Sequence, residues 1–267
     1  MKLRIAKRRA ALWIALNDLA DVWSLEEVMQ NLSEFAKKAV NLSWRASFSK
    51  ELRKGKFPKD YDVDPDRVGF FILAMGKLGA CELNYSSDID LICFFDEEAF
   101  RPGEFQIVRR IFINATKNMY RLLNENGKDG YVFRTDLRLR PDPSVTPVCM
   151  GVDAAERYYA SLGRTWERAA FIKARVCAGD HSAGTKFLKN MEPFVWRKYL
   201  DYAAISDAHD IRLRIRDHYK TKIGDITLPK HNMKLGRGGI RDIEFFTQTH
   251  QIIFGGRDKS IRPRATT

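Results

Sequence analysis

The chain has 267 residues, 45% hydrophobic and 30% charged, which is the profile of a globular protein with ample residues for a core and excludes a disordered or fibrous class. Lys and Arg outnumber Asp and Glu by 46 to 34, so the net charge of +12 favours anionic ligands: nucleotides, nucleic acid or an acidic protein. That excess is spread along the chain, and no apolar run approaches the roughly eighteen residues that a membrane span needs. The four cysteines, Cys81, Cys93, Cys149 and Cys177, lack CxxC spacing and read as reduced thiols of a cytoplasmic protein.

Met1 to Arg9 is basic and the next seven residues are apolar, as in a secretory signal. Asn17 and Asp18 interrupt that run, however, and the pattern continues as an amphipathic helix. Helices are predicted from residue 3 to about 54. Leu12, Ile14, Leu16, Leu19, Val22 and Trp23 recur at roughly helical spacing, and Ser24 with Glu27 forms a capping box for a second helix. A linker rich in Lys, Arg, Gly and Pro, Lys54 to Pro65, separates this N-terminal helical region, 1–60, from a first strand, Val68 to Met75. That strand is almost wholly apolar, as expected of one covered on both faces.

A turn on Gly76 and Gly79 follows, with Lys77 between them, and then a short helix or loop, Cys81 to Ser87. Ser86 and Ser87 can donate to phosphate oxygens. The second strand, Ile89 to Phe95, has Asp88 and Asp90 at its mouth. Residues two apart on a strand share a face, so these carboxylates project together while Ile89 and Leu91 face the core. Paired carboxylates repel unless a cation neutralises them, and their hard oxygens suit Mg²⁺ bound together with substrate phosphates. A phosphate-approaching glycine turn followed by paired aspartates is the outline of a nucleotidyl-transfer site.

Glu104 to Gly127 shows helical periodicity and ends in Asn-Gly. In Tyr131 to Pro141, alternation predicts a strand with Arg134, Asp136, Arg138 and Arg140 on one face. Such a pattern reads either as an exposed salt-bridge ladder or, beside Asp88 and Asp90, as a third carboxylate among phosphate-binding arginines. Asp142 to Met150 is predicted as loop, and Val152 to Ser161 and Arg164 to Val176 as helices. Lys173 and Arg175 either reach a nucleotide or snorkel from a packed helix. Met191 to Asp201 and Ala203 to Lys222 are expected to be basic helices. A glycine turn, Gly236 to Gly239, then opens a helix whose Ile240, Ile243, Phe245 and Phe246 are expected to face a core. The organisation expected is a catalytic domain over 66–180 and a helical region over 185–267, the truncated start of a bundle.

Several segments together resemble one family, the bifunctional glutamine synthetase adenylyltransferase/adenylyl-removing enzymes. They are Met75-Gly-Lys-Leu-Gly79 with Glu82 to Leu91, Arg134 to Pro141, Trp166 to Arg168 with Lys173 to Arg175, and Lys234 to Phe245. The resemblance implies an α+β fold of the DNA polymerase β nucleotidyltransferase type, a mixed sheet with helices, flanked by helical segments. It also implies Mg²⁺ held by Asp88, Asp90 and Asp136 as catalytic and metal-binding residues. Gly76, Lys77, Gly79, Ser86, Ser87, Arg138 and Arg140 are the residues expected to bind nucleotide or phosphate. Family members carry two such domains, one removing AMP from a tyrosine of glutamine synthetase by phosphorolysis to ADP, the other adding AMP from ATP. Pro193 to Asp201 is similar to the adenylyl-removing copy. Gly79-Ala80 stands where the family pattern has Gly-Gly, and only one catalytic domain is present, which marks a fragment without adenylylating activity. The implied partners are adenylylated glutamine synthetase, the nucleotides ADP and ATP, phosphate and a PII-type signalling protein, with no nucleic acid and no membrane. The other readings are an inactive docking module for glutamine synthetase or a PII-type protein, and a nucleotidyltransferase acting on nucleic acid.

Overall fold

The structure, a computed structural model, describes residues 2–198, 232–234 and 238–265. It separates into two compact units, Met1–Ser161 with Lys173–Met191, and Leu162–Ile172 with Glu192–Thr267. The first unit is built on a five-stranded mixed sheet, so the expected α+β class with a mixed sheet and helices is observed. Strand β1 (Phe70–Ala74) lies between β2 (Ile89–Phe95) and β5 (Arg175–Gly179), antiparallel to both. The outer edge of β2 carries two short parallel partners in succession, β3 (Thr135–Asp136) along its start and β4 (Cys149–Gly151) along its end.

Both faces of β1 are covered, which accounts for its unbroken apolar run. Phe70, Ile72 and Ala74 belong to the core shared with helices α2 (Leu25–Leu52) and α4 (Phe105–Asn124). There the Trp44 indole stacks on Phe70 with centroids 3.7 Å apart, and Phe48, Phe70 and Phe112 close round it. Phe71 points the other way and meets Phe94 and Phe187, the last from α7 (His181–Asn190). Alternate side chains of one strand thus bind two helical layers, as the two-residue period requires. Helix α2 begins at the predicted capping box, in which Ser24 Oγ accepts from Glu27 N and Glu27 Oε2 accepts from Ser24 N. The N-terminal helix α1 (Lys2–Leu19) buries only Ile14 and leaves Leu12, Trp13, Leu16 and Leu19 exposed.

Several expectations are overturned. Gly76–Ala80 is a short helix, α3, instead of a turn, whereas Cys81 to Ser87 is irregular, in line with the expected helix or loop. The long alternating strand from Tyr131 to Pro141 shrinks to β3, because Asp136 folds Arg138 back onto itself and ends the alternation. The predicted loop 142–150 contains the start of β4. Helix α5 (Val152–Ser161) forms as expected, but the next helix, α6 (Thr165–Ile172), stops early and the chain re-enters the sheet as β5. Arg175 to Gly179 has an open edge of β1 to pair with, and that tertiary hydrogen bonding overrides the local helical spacing.

The second unit contains α6, the short α8 (Glu192–Val195) and α9 (Ile240–Phe254). Phe171 meets Phe194 edge-on and the Arg168 guanidinium lies 5.7 Å from the same ring. Ile240, Ile243 and Phe246 are exposed on α9, contrary to expectation, and Gln251 and Ile252 are its buried residues. The predicted helix Ala203 to Lys222, the end of the one at 191–201 and the anion-binding turn from Gly236 lie wholly or partly outside the described residues. Among the described residues, no helix is long and apolar enough to cross a membrane.

Cys93, Cys149 and Cys177 are buried free thiols, and burial pushes Cys93 up to about 12 and the other two well above the ordinary thiol range. Cys81 alone of the four is partly accessible. Titration with Ellman's reagent should therefore release one equivalent of thiolate from the native chain and four after denaturation.

Candidate active site

The site forms where β1 ends, β2 begins and β3 pairs with it. Met75 N donates to the Asp90 carbonyl at 2.9 Å, and Ile89 N donates to the Arg134 carbonyl at 2.9 Å. These two bonds tie all three segments together around Asp90. The parallel register sets Ile89 against Thr135 and Asp90 against Asp136. Residues in register on adjacent strands present the same face, so the Asp90 and Asp136 carboxylates share one side of the sheet while Ile89 and Thr135 are buried. Asp88 stands exposed one step before β2, two residues from Asp90.

Arginines form ion pairs with Asp88 and Asp136, and Arg138 also feels the charge of Asp90. Arg134 pairs with Asp88 Oδ1 and donates as well to the Ser86 carbonyl at 2.7 Å and to the Tyr131 hydroxyl at 3.3 Å. Arg138 forks onto Asp136, Nη2 to Oδ2 at 2.6 Å and Nε to Oδ2 at 2.9 Å, and its own amide donates to Oδ1 at 2.7 Å. That bidentate guanidinium holds the Asp136 carboxyl below the usual carboxylate range against the opposing effect of partial burial, and the carboxylate in turn raises the Arg138 pKa. The Arg138 side chain is 83% exposed, so it can leave Asp136 for a ligand at little cost.

Arg140 has another task. Its guanidinium donates to the carbonyls of Leu137, Pro143 and Thr146 at 2.7 to 3.3 Å, which closes the loop after β3 and spends its donors there, away from the expected phosphate contact. Ser87 is likewise engaged locally, its hydroxyl donating to Asn84 Oδ1 and accepting from Asn84 N. Ser86 is exposed and lends its carbonyl to Arg134. Lys77 is exposed on α3.

The two glycines of α3 are needed for different reasons. Gly76 has φ of +52°, and a Cβ there would lie 3.1 Å from Asp90 Oδ2, so glycine keeps the approach to that carboxylate clear. At Gly79 a Cβ would collide with the carbonyl oxygens of Lys173 and Ala74, so glycine allows α3 to lie flat on β1 and the start of β5. Ala80 is buried. Lys173 and Arg175 complete this seam. Lys173 Nζ lies 3.5 Å from Glu82 Oε2, both side chains largely buried, and Arg175 Nε donates to the Gly79 carbonyl at 2.9 Å. Neither residue sits on a helix, and both hold α3 and its following loop against the sheet.

The donor set suits a hard divalent cation, since it consists of carboxylate oxygens on adjoining strand ends with a glycine leaving space beside Asp90. Among the described residues, no three acidic, His or Cys side chains are drawn together as a ready-made metal cluster. Arg134 and Arg138 stand in as the counter-charges. Next to Asp136 lies a hollow of about 380 Å³, bounded by Lys117 and Tyr120 of α4, Arg138 and Val148. The apolar period of α4 did not single out Lys117 or Tyr120; the signal lies in its polar face, where positions three apart meet.

Comparison with known proteins agrees with this architecture. A model of the glutamate-ammonia ligase adenylyltransferase family matches residues 1–190, and a model described as GlnD PII-uridylyltransferase matches residues 209–264. The chain belongs to the glutamate-ammonia ligase adenylyltransferase family. It is 48% identical over 268 residues to a bifunctional glutamine synthetase adenylyltransferase/adenylyl-removing enzyme of Bradyrhizobium sp. (strain BTAi1). Its identity to proteins of the same name from Rhizobium meliloti (strain 1021) and Rhodopseudomonas palustris (strain HaA2) is 49% and 46%. Each of these alignments covers 99% of the chain and 27% of the relative, so the chain spans about a quarter of their length.

The Gly79 seam yields a direct test. Gly79→Ala should lower unfolding stability by about 1–3 kcal/mol, the usual cost of overpacking a closed site, as read from the midpoint of a urea titration at unchanged slope.

Proposed function

We propose that the chain is a nucleotidyltransferase domain, acting in the cytoplasm, that removes AMP from an adenylylated tyrosine of glutamine synthetase by phosphorolysis, releasing ADP. The observation that carries this reading is the parallel register of β2 and β3, which sets Asp136 beside Asp90, with Asp88 two residues away and arginines on two of the three. The names of the relatives include an adenylyl-removing activity and glutamine synthetase as the protein acted on. The similarity of Pro193 to Asp201 to the adenylyl-removing copy supports phosphorolysis over AMP addition. The buried free thiols suit a reducing compartment.

In this reading Asp88, Asp90 and Asp136 hold Mg²⁺, with Arg134 and Arg138 released from the carboxylates they now neutralise. Mg²⁺ held by these carboxylates would supply positive charge that stabilises the transferring phosphoryl group. Arg138, exposed and fork-shaped, turns from Asp136 to the nucleotide phosphate. Gly76 admits that phosphate close to Asp90, and the hollow at Lys117 and Tyr120 receives the nucleoside. Transfer is in line, so the protein's work is to position the two reacting oxygens and stabilise the charge between them. The catalytic domain covers 66–180. The region 185–267 meets the regulator, for which the uridylyltransferase match at 209–264 suggests a PII-type protein.

Adenylylated glutamine synthetase incubated with the chain, phosphate and Mg²⁺ should yield ADP, and no AMP should appear when phosphate is left out. Asp90→Asn should cut the rate by about two to three orders of magnitude, the scale of losing one preorganised charged contact to the transferring group. Turnover unchanged in that variant would remove Asp90 from the chemistry.

A further inference from the structure

One concentration of positive charge is not absorbed by the carboxylate site. Helix α1 brings Lys7, Arg8 and Arg9 to the rim of an open groove of about 860 Å³, with Asp129 and Tyr131 opposite. Arg8 reaches Asp129 at 3.4 Å across that groove. Lys7 Nζ stands 4.6 Å from the centroid of the Tyr131 ring, and the Arg134 guanidinium carbon stands 5.9 Å from the same ring. Phe133 adds a second aromatic neighbour to Lys7 at 5.6 Å. No carboxylate among the described residues pairs with Lys7. It is half-buried, and both its burial and the nearby Arg134 charge weigh against its ammonium form. Two cations crowd one aromatic ring, and one of them, Arg134, also holds Asp88. A small, multiply charged anion between them would relieve the repulsion and would lie at the edge of the carboxylate site.

We propose that Lys7 and Arg134, on either flank of Tyr131, form the subsite for inorganic phosphate. This rests on the phosphorolytic reading given above and gives the nucleophile a place of its own, separate from the nucleotide phosphate at Arg138. A hydrogen phosphate oxygen forms the new bond to the AMP phosphorus as the bond from that phosphorus to the tyrosine oxygen breaks. The electron pair leaves with the tyrosine oxygen, which takes up the proton that hydrogen phosphate loses, so the products are ADP and unmodified tyrosine. Lys7 touches only the phosphate and transfers no proton. Of the arginines expected to bind phosphate, Arg140 is committed to its loop and Arg138 is assigned to the nucleotide phosphate, whereas Lys7 pairs with no carboxylate among the described residues.

The test is titration of the chain with inorganic phosphate, followed by ³¹P NMR or calorimetry, alongside steady-state ADP formation. Lys7→Met keeps the aliphatic stem over Tyr131 while removing the charge, and circular dichroism checks that it folds; Lys7→Gln is the second variant. Phosphate affinity should fall about tenfold in Lys7→Met, the scale of one charge-assisted contact, and return in Lys7→Arg. Lys38→Met, which removes an exposed lysine of α2, should change nothing. In turnover, KM for phosphate should rise in Lys7→Met while kcat at saturating phosphate and KM for the adenylylated protein hold. Wild-type phosphate affinity in Lys7→Met, or no binding by the wild-type chain, overturns the subsite. ADP formation with an unchanged phosphate KM in Lys7→Met overturns the subsite and leaves phosphorolysis standing. Lys7-dependent phosphate binding without ADP formation supports the subsite and removes the phosphorolytic reading.

Discussion

The two-sided burial of β1 is the constraint on which the rest of the first unit depends. Five residues, Phe70 to Ala74, have no exposed side chain, so β1 is locked between the α2 and α4 layer and the Phe187 layer. Its partner β2 inherits that rigidity through five consecutive registered pairs. Asp90 is the second residue of β2 and is bonded through its carbonyl to Met75, the residue after β1. A carboxylate placed on a firmly packed strand end needs little reorganisation when a ligand arrives. Trp44, stacked on Phe70, therefore supports the site from the far side of the sheet although it touches none of the carboxylates.

Electrostatics shape that same end of the strands. Three carboxylates on two adjacent chain segments would repel strongly if left alone, and the fold answers with arginines that are themselves exposed. Exposed pairs contribute little to stability, so these arginines are available to exchange partners. The contrast with the Lys173–Glu82 pair is instructive. There both side chains are largely buried, and together with the Arg175 bond to Gly79 they fasten α3 in place. Charge of the same kind serves exchange at one end of α3 and permanence at the other, and solvent exposure makes the difference.

Much of the fold was legible in the chain because its signals are local. The capping box at Ser24 and Glu27, the continuous apolar run of β1, the period of α4 and the strand after Asp88 and Asp90 all rest on neighbours within a few residues. What escaped was the work of distant partners. Arg175 to Gly179 became a strand because β1 offered an open edge, and Cys149 to Gly151 because β2 did. The alternation from Tyr131 promised four polar residues on one face, yet Asp136 captured the Arg138 amide and Arg140 turned to three loop carbonyls. Side-chain to backbone bonds of this sort compete with strand pairing, and period alone does not reveal which will win. The apolar stripe of α9 promised a buried face, but Ile240, Ile243 and Phe246 are exposed.

By itself the sequence determined the chemistry that is available: paired aspartates at a strand mouth, a third aspartate among arginines, glycines before them and a surplus of cations. It also determined family membership, since order and spacing of such segments survive in the linear chain. Only the tertiary structure decided which of these residues meet. The two-residue pairing of β2 with β3 brings Asp136 to Asp90 across 46 positions of chain, and α1 carries Lys7 to Tyr131 across 124. Packing of the intervening helices sets those distances, and no local pattern encodes them.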